Sequence, residues 1–338
     1  MNALVTRHSS LVIAAAVCAA AQTAAAAGFR AAPVADYKED AWSFGVSGGT
    51  AYVGGEAREH VFSPKADSAE YAKEFGVADD GKRHQISRLD WDVAAAMIGF
   101  SGSVRHGRLS LNLGAWYGGS GSDDLEMEDY DWMAGDHVKY TEYSKSETEL
   151  TDAWMVDANV SFDFWRDDAF TACAFFGVRS QEWKWTCDGR TDYWYSDLNH
   201  VWVSDYGHIC DYKQEFYFGY LGLGGTWKLS DTLDISAYVS WAPLYGGKDR
   251  DQHLAVEKDF RDTFDYDDGE VYAAGVELAW RAVESLKVAL ALDWQRATLH
   301  EGDFKLNNYG EGEILENDDA AGYESQYVAL SFGVNYAF

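Results

Sequence analysis

The sequence predicts an all-β protein, a ten-stranded antiparallel transmembrane β-barrel that extends beyond the outer leaflet. The last twelve residues point there first. Val328, Leu330, Phe332, Val334, Tyr336 and Phe338 alternate with Ala329, Ser331, Gly333, Asn335 and Ala337. A two-residue period over a membrane-crossing length, ending in a C-terminal Phe, suits a strand with one face in lipid. Composition agrees, because 3 Pro, 32 Gly, 14 Trp and 21 Tyr fit many strands with aromatic girdles better than a helical enzyme. Beyond the leader, no apolar run approaches the roughly 20 residues that a membrane helix needs.

Residues 1–27 read as a signal peptide. Arg7 supplies the positive n-region, an apolar run follows from Leu11 to Ala21, and small residues continue to Ala27. Val17 stands before Cys18, where lipoprotein processing wants a small residue, so removal after Ala26 or Ala27 is expected. Residues 28–338 then form one outer-membrane domain, with no repeat or Pro-rich linker to divide it.

Alternating segments recur along this domain. Leu109, Leu111, Leu113, Ala115 and Tyr117 share one parity, as do Leu233, Ile235, Ala237, Val239 and Trp241, and Leu286, Val288, Leu290, Leu292 and Trp294. In each, this set is expected to face lipid and the intervening residues the lumen. Short links at 105–107, 166–168, 230–232 and 282–285 read as periplasmic turns. Long polar links at about 63–82, 122–149, 188–209, 254–268 and 302–321 read as external loops. Nine connections join ten strands, and an even number is what closure of an antiparallel barrel expects. Cys187 and Cys210 flank one loop at the ends of paired strands and are expected to be bridged in an exported protein. Cys173 is expected to be a buried or lipid-facing thiol.

The charge balance is strongly acidic, 27 basic against 56 acidic residues and a net charge of −29. Loss of Arg7 with the signal peptide makes it one more negative. Nucleic acid is excluded as a natural partner, since phosphate contacts demand Lys and Arg. A cationic substrate is the natural complement, which a negative field could steer in; the alternative is that the charge serves only to keep the loops solvated.

Two segments carry candidate chemistry. No Gly-x-Ser-x-Gly elbow, His-Glu-x-x-His or Cys-x-x-Cys pair is present in the mature chain, so neither a serine nucleophile nor a metal is indicated by motif. Asp249, Asp251 and His253 lie two residues apart, which puts them on one face of a strand. There an Asp can orient an imidazole and stabilise its protonated form. Asp129 and Asp131 form a second acidic pair with the same spacing. In so acidic a chain, Asp-x-Asp pairs also arise by chance as solvated charges. Both segments carry a parity conflict. Asp249 to His253 share the parity of the lipid-facing Leu233 to Trp241, and Asp129 and Asp131 that of Leu109 to Tyr117. A bulge or bend in Pro243–Gly247, and another in Gly118–Gly121, is needed to turn them inward.

Ser87-Arg88-Leu89-Asp90-Trp91, Met127-Glu128-Asp129-Tyr130-Asp131-Trp132-Met133, Tyr212-Lys213-Gln214 and Asp249-Arg250-Asp251-Gln252-His253 follow one another in an order and spacing that resembles the omptin family of Gram-negative outer-membrane proteases. The resemblance covers essentially the whole mature chain, with loops of different length. It implies a monomeric endopeptidase of the outer membrane, its active site facing outside. Asp129 would hold a water nucleophile, Asp131 would share a proton with it, His253 would take the water's proton, and Asp251 would stabilise the imidazolium. Glu59 and Asp249 would bind an Arg or Lys side chain beside the cleaved bond. No cofactor is implied, although family members need lipopolysaccharide as an activating lipid, bound on the outer wall. Lys184, with Glu182 beside it, matches one such position; at the other, where an Arg is usual, this chain has Glu215. The competing readings are a barrel that acts as an adhesin or structural element without catalysis, and a small pore, which ten strands with Trp116 and Tyr238 turned inward would make narrow.

Overall fold

A computed structural model describes residues 30, 38–63, 83–120, 124–132, 140, 142–195, 202–254, 257–265 and 269–338. The expected signal peptide, Cys18 and nearly all of the first expected loop lie outside the described residues. Twelve strand segments follow in order: β1 (Trp42–Phe62), β2 (Gln85–His106), β3 (Leu109–Gly119), β4 (Leu125–Asp131), β5 (Glu142–Arg166), β6 (Phe170–Tyr195), β7 (Trp202–Lys228), β8 (Leu233–His253), β9 (Lys258–Phe264), β10 (Gly269–Val283), β11 (Leu286–Asn308) and β12 (Glu313–Ala337). β3 and β4 lie end to end between β2 and β5. β9 and β10 do the same between β8 and β11. The twelve segments are therefore ten staves. β1 pairs antiparallel with both β2 and β12, which closes the ring.

The expected facing holds. Leu111, Leu113, Val239, Leu290, Leu292, Leu330 and Phe332 are exposed on the outer wall, while Ala289, Ala291, Asp293 and Ala329 are buried. Trp42, Trp165, Trp227, Trp280 and Tyr336 ring the end that carries the short turns, and Tyr52, Tyr117, Tyr217, Trp241 and Tyr272 ring the other side of the apolar band. Such girdles mark the two membrane–water interfaces. Inside, side chains meet across the lumen. Arg179 on β6 donates to Gln295 on β11 at 3.1 Å, and Tyr323 on β12 donates to Gln214 on β7 at 3.0 Å. Trp183 packs on Tyr327 with ring centroids 5.3 Å apart. These contacts fill the bore at mid-height, so the side chains argue against a pore.

The strands run farther than the polar composition of their ends indicated. β7 has 27 residues and β6 has 26, against the roughly 9–11 that cross a bilayer. Of the expected loops at 122–149, 188–209, 254–268 and 302–321, the described residues are thus largely strand, with β4 and β9 lying inside two of them. The cause is the outward face. Above the upper girdle it carries Glu56, Arg58, Asp90, Asp92, Glu126, Lys145, Lys213 and Lys248 in place of lipid-facing aliphatics, so the apolar half of the alternation disappears while the pairing continues.

Both parity conflicts are resolved where they had to be. Between Gly219↔Leu244 and Leu221↔Trp241, β8 takes one residue more than β7, a bulge at Ala242-Pro243. Pro has no N–H for the ladder, so a bulge accommodates it without losing a bond. Trp241 points outward, and beyond the bulge Tyr245, Asp249 and Asp251 are buried inward. On the other stave, the chain moves from Gly119 to Met127 while β2 moves only from Ala96 to Trp91, three residues fewer. The inward set accordingly changes from Trp116 to Met127, and Asp129 and Asp131 follow Met127.

Cys187 and Cys210 face each other in the β6–β7 ladder and form a disulfide. Cys173 follows the buried rather than the lipid-facing alternative: it is partly buried, packs against the core and lines a lumen cavity near the periplasmic turns. Its odd position on β6 shares the inward parity of Phe175 and Arg179. Because Cys210 is also the register partner of His253, the disulfide pins the strand beside that residue. Replacing both bridged cysteines with Ser should cost about 2–4 kcal/mol for a loop of this size. Denaturant unfolding of oxidised wild type against the double variant checks this, and reduction of wild type should reproduce the loss.

Candidate active site

Barrel closure, not sequence proximity, assembles the cluster. β4 and β8 are separated in the sheet by β5, β6 and β7, so their inward residues look at each other across the lumen. The level is external to the membrane, because the outer wall at this height carries the ring of charges described above.

On β8, Asp251 accepts a hydrogen bond from His253 Nε2 at 2.7 Å. The Asp251 side chain is 2% exposed and that of His253 is 29% exposed, so the acid sits behind and the imidazole faces the groove. Phe260 packs against the ring, centroids 5.1 Å apart. Burial works to lower the His253 pKa, but the charge and hydrogen bond of Asp251, with Asp129 beyond, lift it to about 8. Opposite, the Ser87 hydroxyl lies 3.5 Å from Asp129 Oδ1. Burial raises the Asp129 pKa well above the ordinary carboxylate range, and Asp131 and Asp251 raise it further against His253 and Ser87. Burial also raises Asp131, with Glu142 adding to it and Ser87 and His253 opposing. Burial thus makes both carboxyls harder to ionise, and the charge of Asp131 weighs directly on Asp129. His253 lowers the Asp129 pKa and Asp129 raises that of His253, as expected of groups that face each other across the lumen.

Beside them lies a second acidic group. Glu59 on β1, Asp249 on β8 and Asp262 on β9 are 2%, 5% and 1% exposed. One carboxylate oxygen from each lies within 4.8 Å of the others. Tyr212 donates to Asp249 at 3.4 Å and stacks on Trp91 with centroids 4.4 Å apart, so the floor is aromatic. Burial raises the Glu59 pKa well above its usual range, with Asp249, Asp262, Asp251 and Asp129 adding to it. Asp249 is lifted to about 8 by burial and by Asp251. Asp262 is raised by burial and then by Asp249 and Asp251. Among the described residues, this trio is the group spaced to hold a metal ion. Asp262 escaped the sequence reading because 254–268 read as a loop. The alternation of Phe260, Asp262 and Phe264, now inward on β9, was the available signal.

On the outer wall, Lys213 pairs with Glu182 at 3.1 Å and with Glu215 at 3.3 Å, and Lys248 pairs with Glu215 at 3.1 Å. Lys184 lies on the same face, in register with Lys213. Glu215 is therefore bracketed by two lysines. Its burial would raise its pKa, but Lys248 and Lys213 hold it low.

A family model described as the omptin family matches residues 40–338. The chain belongs to the omptin family. It is an outer-membrane protease of Gram-negative type. It is 23% identical over 305 residues to the plasminogen activator of Yersinia pestis, covering 88% of this chain and 90% of that protein. It is 24% identical over 301 residues to the outer membrane protease OmpP of Escherichia coli, covering 85% and 87%. The crystal structure of the outer membrane protease OmpT from Escherichia coli superposes with a TM-score of 0.75 at 18% identity, covering 90% of this chain and 98% of that one. At that identity the likeness fixes the omptin barrel fold, and the side-chain arguments rest on the geometry above.

Proposed function

We propose that this omptin is an outer-membrane endopeptidase that cleaves cationic peptides, or exposed protein segments, at Lys or Arg, with water as the nucleophile. The observation that carries the proposal is the inward-facing Asp129–Asp131 pair opposite the Asp251–His253 hydrogen bond, with buried carboxylates beside them. Asp129 accepts a hydrogen bond from the water, and the free ring nitrogen of His253 takes its proton as the oxygen attacks the scissile carbonyl carbon. Asp251 stabilises the imidazolium through the 2.7 Å hydrogen bond. Asp131 shares a proton with Asp129 and so limits the charge of the pair. The imidazolium then returns its proton to the leaving amine as the C–N bond breaks. Glu59 and Asp249 receive the basic side chain next to that bond, and the net charge of −29 draws cationic chains to the external mouth. The machinery draws on the chain's own side chains.

Lipopolysaccharide fits the outer wall. Lys184, Lys213 and Lys248 are the positive groups an anionic headgroup would meet there, offset by Glu182, by Asp152 opposite Lys184 and by Glu215 in place of the usual Arg. The test is reconstitution of the monomeric protein with and without lipopolysaccharide, followed by a fluorogenic peptide holding one basic residue and its uncharged counterpart. The basic peptide alone should be cut, and faster with the lipid. Equal cutting of both, or of neither, would overturn the reading.

The pH profile supplies a second check. His253 must be neutral to accept a proton, and it is held up to about 8, so kcat/KM should climb as pH rises through about 8. In Asp251→Asn the main group lifting His253 is gone, and the residual activity should climb at lower pH. A wild-type profile that is flat from pH 6 to 9 would contradict His253 as the base.

A further inference from the structure

Asp262 has no part in the two-acid pocket that the family resemblance implies, yet it points into it. It is directly opposite Asp249 in the β8–β9 ladder and 1% exposed. Neither of its carboxylate oxygens has a hydrogen-bond partner, and Glu59 Oε2 has none either. An unpaired buried carboxylate is costly, and three oriented toward one point call for a cation there.

The spacing says what kind. Three oxygens no more than 4.8 Å apart leave a point within about 2.8 Å of all three, the length of a charge-assisted N–H···O bond. A single nitrogen at that point needs three hydrogens to satisfy three acceptors. A lysine ammonium has three on one atom, whereas no guanidinium nitrogen carries more than two and its charge is spread over a planar fork.

We propose that Asp262, with Glu59 and Asp249, builds a three-carboxylate socket that selects a substrate lysine over arginine. This rests on the reading that the basic side chain beside the cleaved bond enters this pocket. Asp262 is then a specificity-determining residue rather than a catalytic one. Its removal acts on substrate affinity and leaves the Asp251–His253 unit in place.

Equilibrium binding to His253→Ala protein, in EDTA so that no metal competes, tests the socket without turnover. The ligands are three peptides identical except for Lys, Arg or norleucine at the position before the scissile bond. The expected order is Lys, then Arg, then norleucine. Adding Asp262→Asn should lower the ratio of Lys to Arg affinity at least tenfold. Asn keeps the shape and removes an unpaired charge, and retained heat-modifiable mobility on gels will show that the barrel has formed. Arg bound as tightly as Lys by the Asp262 protein overturns the socket, as does a ratio indifferent to Asp262→Asn. No preference for either basic peptide over norleucine would overturn the underlying cationic-pocket reading as well.

Discussion

His253→Ala should reduce kcat by about 10²–10⁴-fold with little change in KM, because it removes the proton acceptor and leaves the pocket for the basic side chain intact. The groove-facing imidazole is the one group in the cluster that pairs a nearly buried carboxylate on one side with open space on the other. Asp251→Asn should cost less. The ring keeps a neighbour of the same shape, but the stabilisation of its charged form is lost. Stopped assays of reconstituted protein on the basic fluorogenic peptide give both constants. An unaffected kcat in His253→Ala would remove the Asp/His half of the mechanism.

Neutralising the pocket should have the next largest effect, and in two opposite directions. Glu59→Gln with Asp249→Asn removes two acceptors for a buried cationic side chain, an interaction that costs about 2–5 kcal/mol when one partner is lost. KM for the basic peptide should therefore rise by roughly 10²-fold or more, with a smaller change in kcat. The same variant should be more stable, since Glu59 Oε2 is buried without a hydrogen-bond partner, which costs about 1–3 kcal/mol, and Asp249 is crowded by other acids. The pH dependence has a definite sign. Asp249 is lifted to about 8, so between roughly pH 4 and that value the folded protein holds a proton that the unfolded chain, with an ordinary Asp pKa of about 3.9, has released. Stability of the wild type should fall as pH rises across this window, and the double variant should flatten the fall. Urea unfolding at several pH values reads this directly. A double variant that is less stable and equally pH-dependent would mean that the pocket acids are paired in the folded protein.

The membrane half of the barrel was legible residue by residue because lipid imposes an apolar outer face. Leu290, Leu292, Leu330 and Phe332 sit where their alternation put them. The external half was not, since charges replace aliphatics on its outer face and β4 and β9 read as loop. Asp251 and His253 stood out because an acid and an imidazole two residues apart have a reason to share a strand face. Their parity demanded a bulge, and Ala242-Pro243 supplies it at the edge of the stretch that Pro and Gly had marked. Asp262 was invisible by the same logic: a lone acid in an acidic chain gains meaning only when pairing sets it opposite Asp249. Nor could spacing alone show that Lys248 offsets Glu215, a contact made between neighbouring strands.

The central claim is that two half-sites, brought face to face by closure of the barrel, act as one catalytic unit. A double-mutant cycle on kcat for Asp129→Asn and His253→Ala measures that coupling. If both groups serve the same water, the double variant will be about as slow as the slower single variant, because either loss already disables the unit. Losses that multiply, each change taking its full toll in the presence of the other, would mean that Asp129 and His253 work independently and would contradict the account.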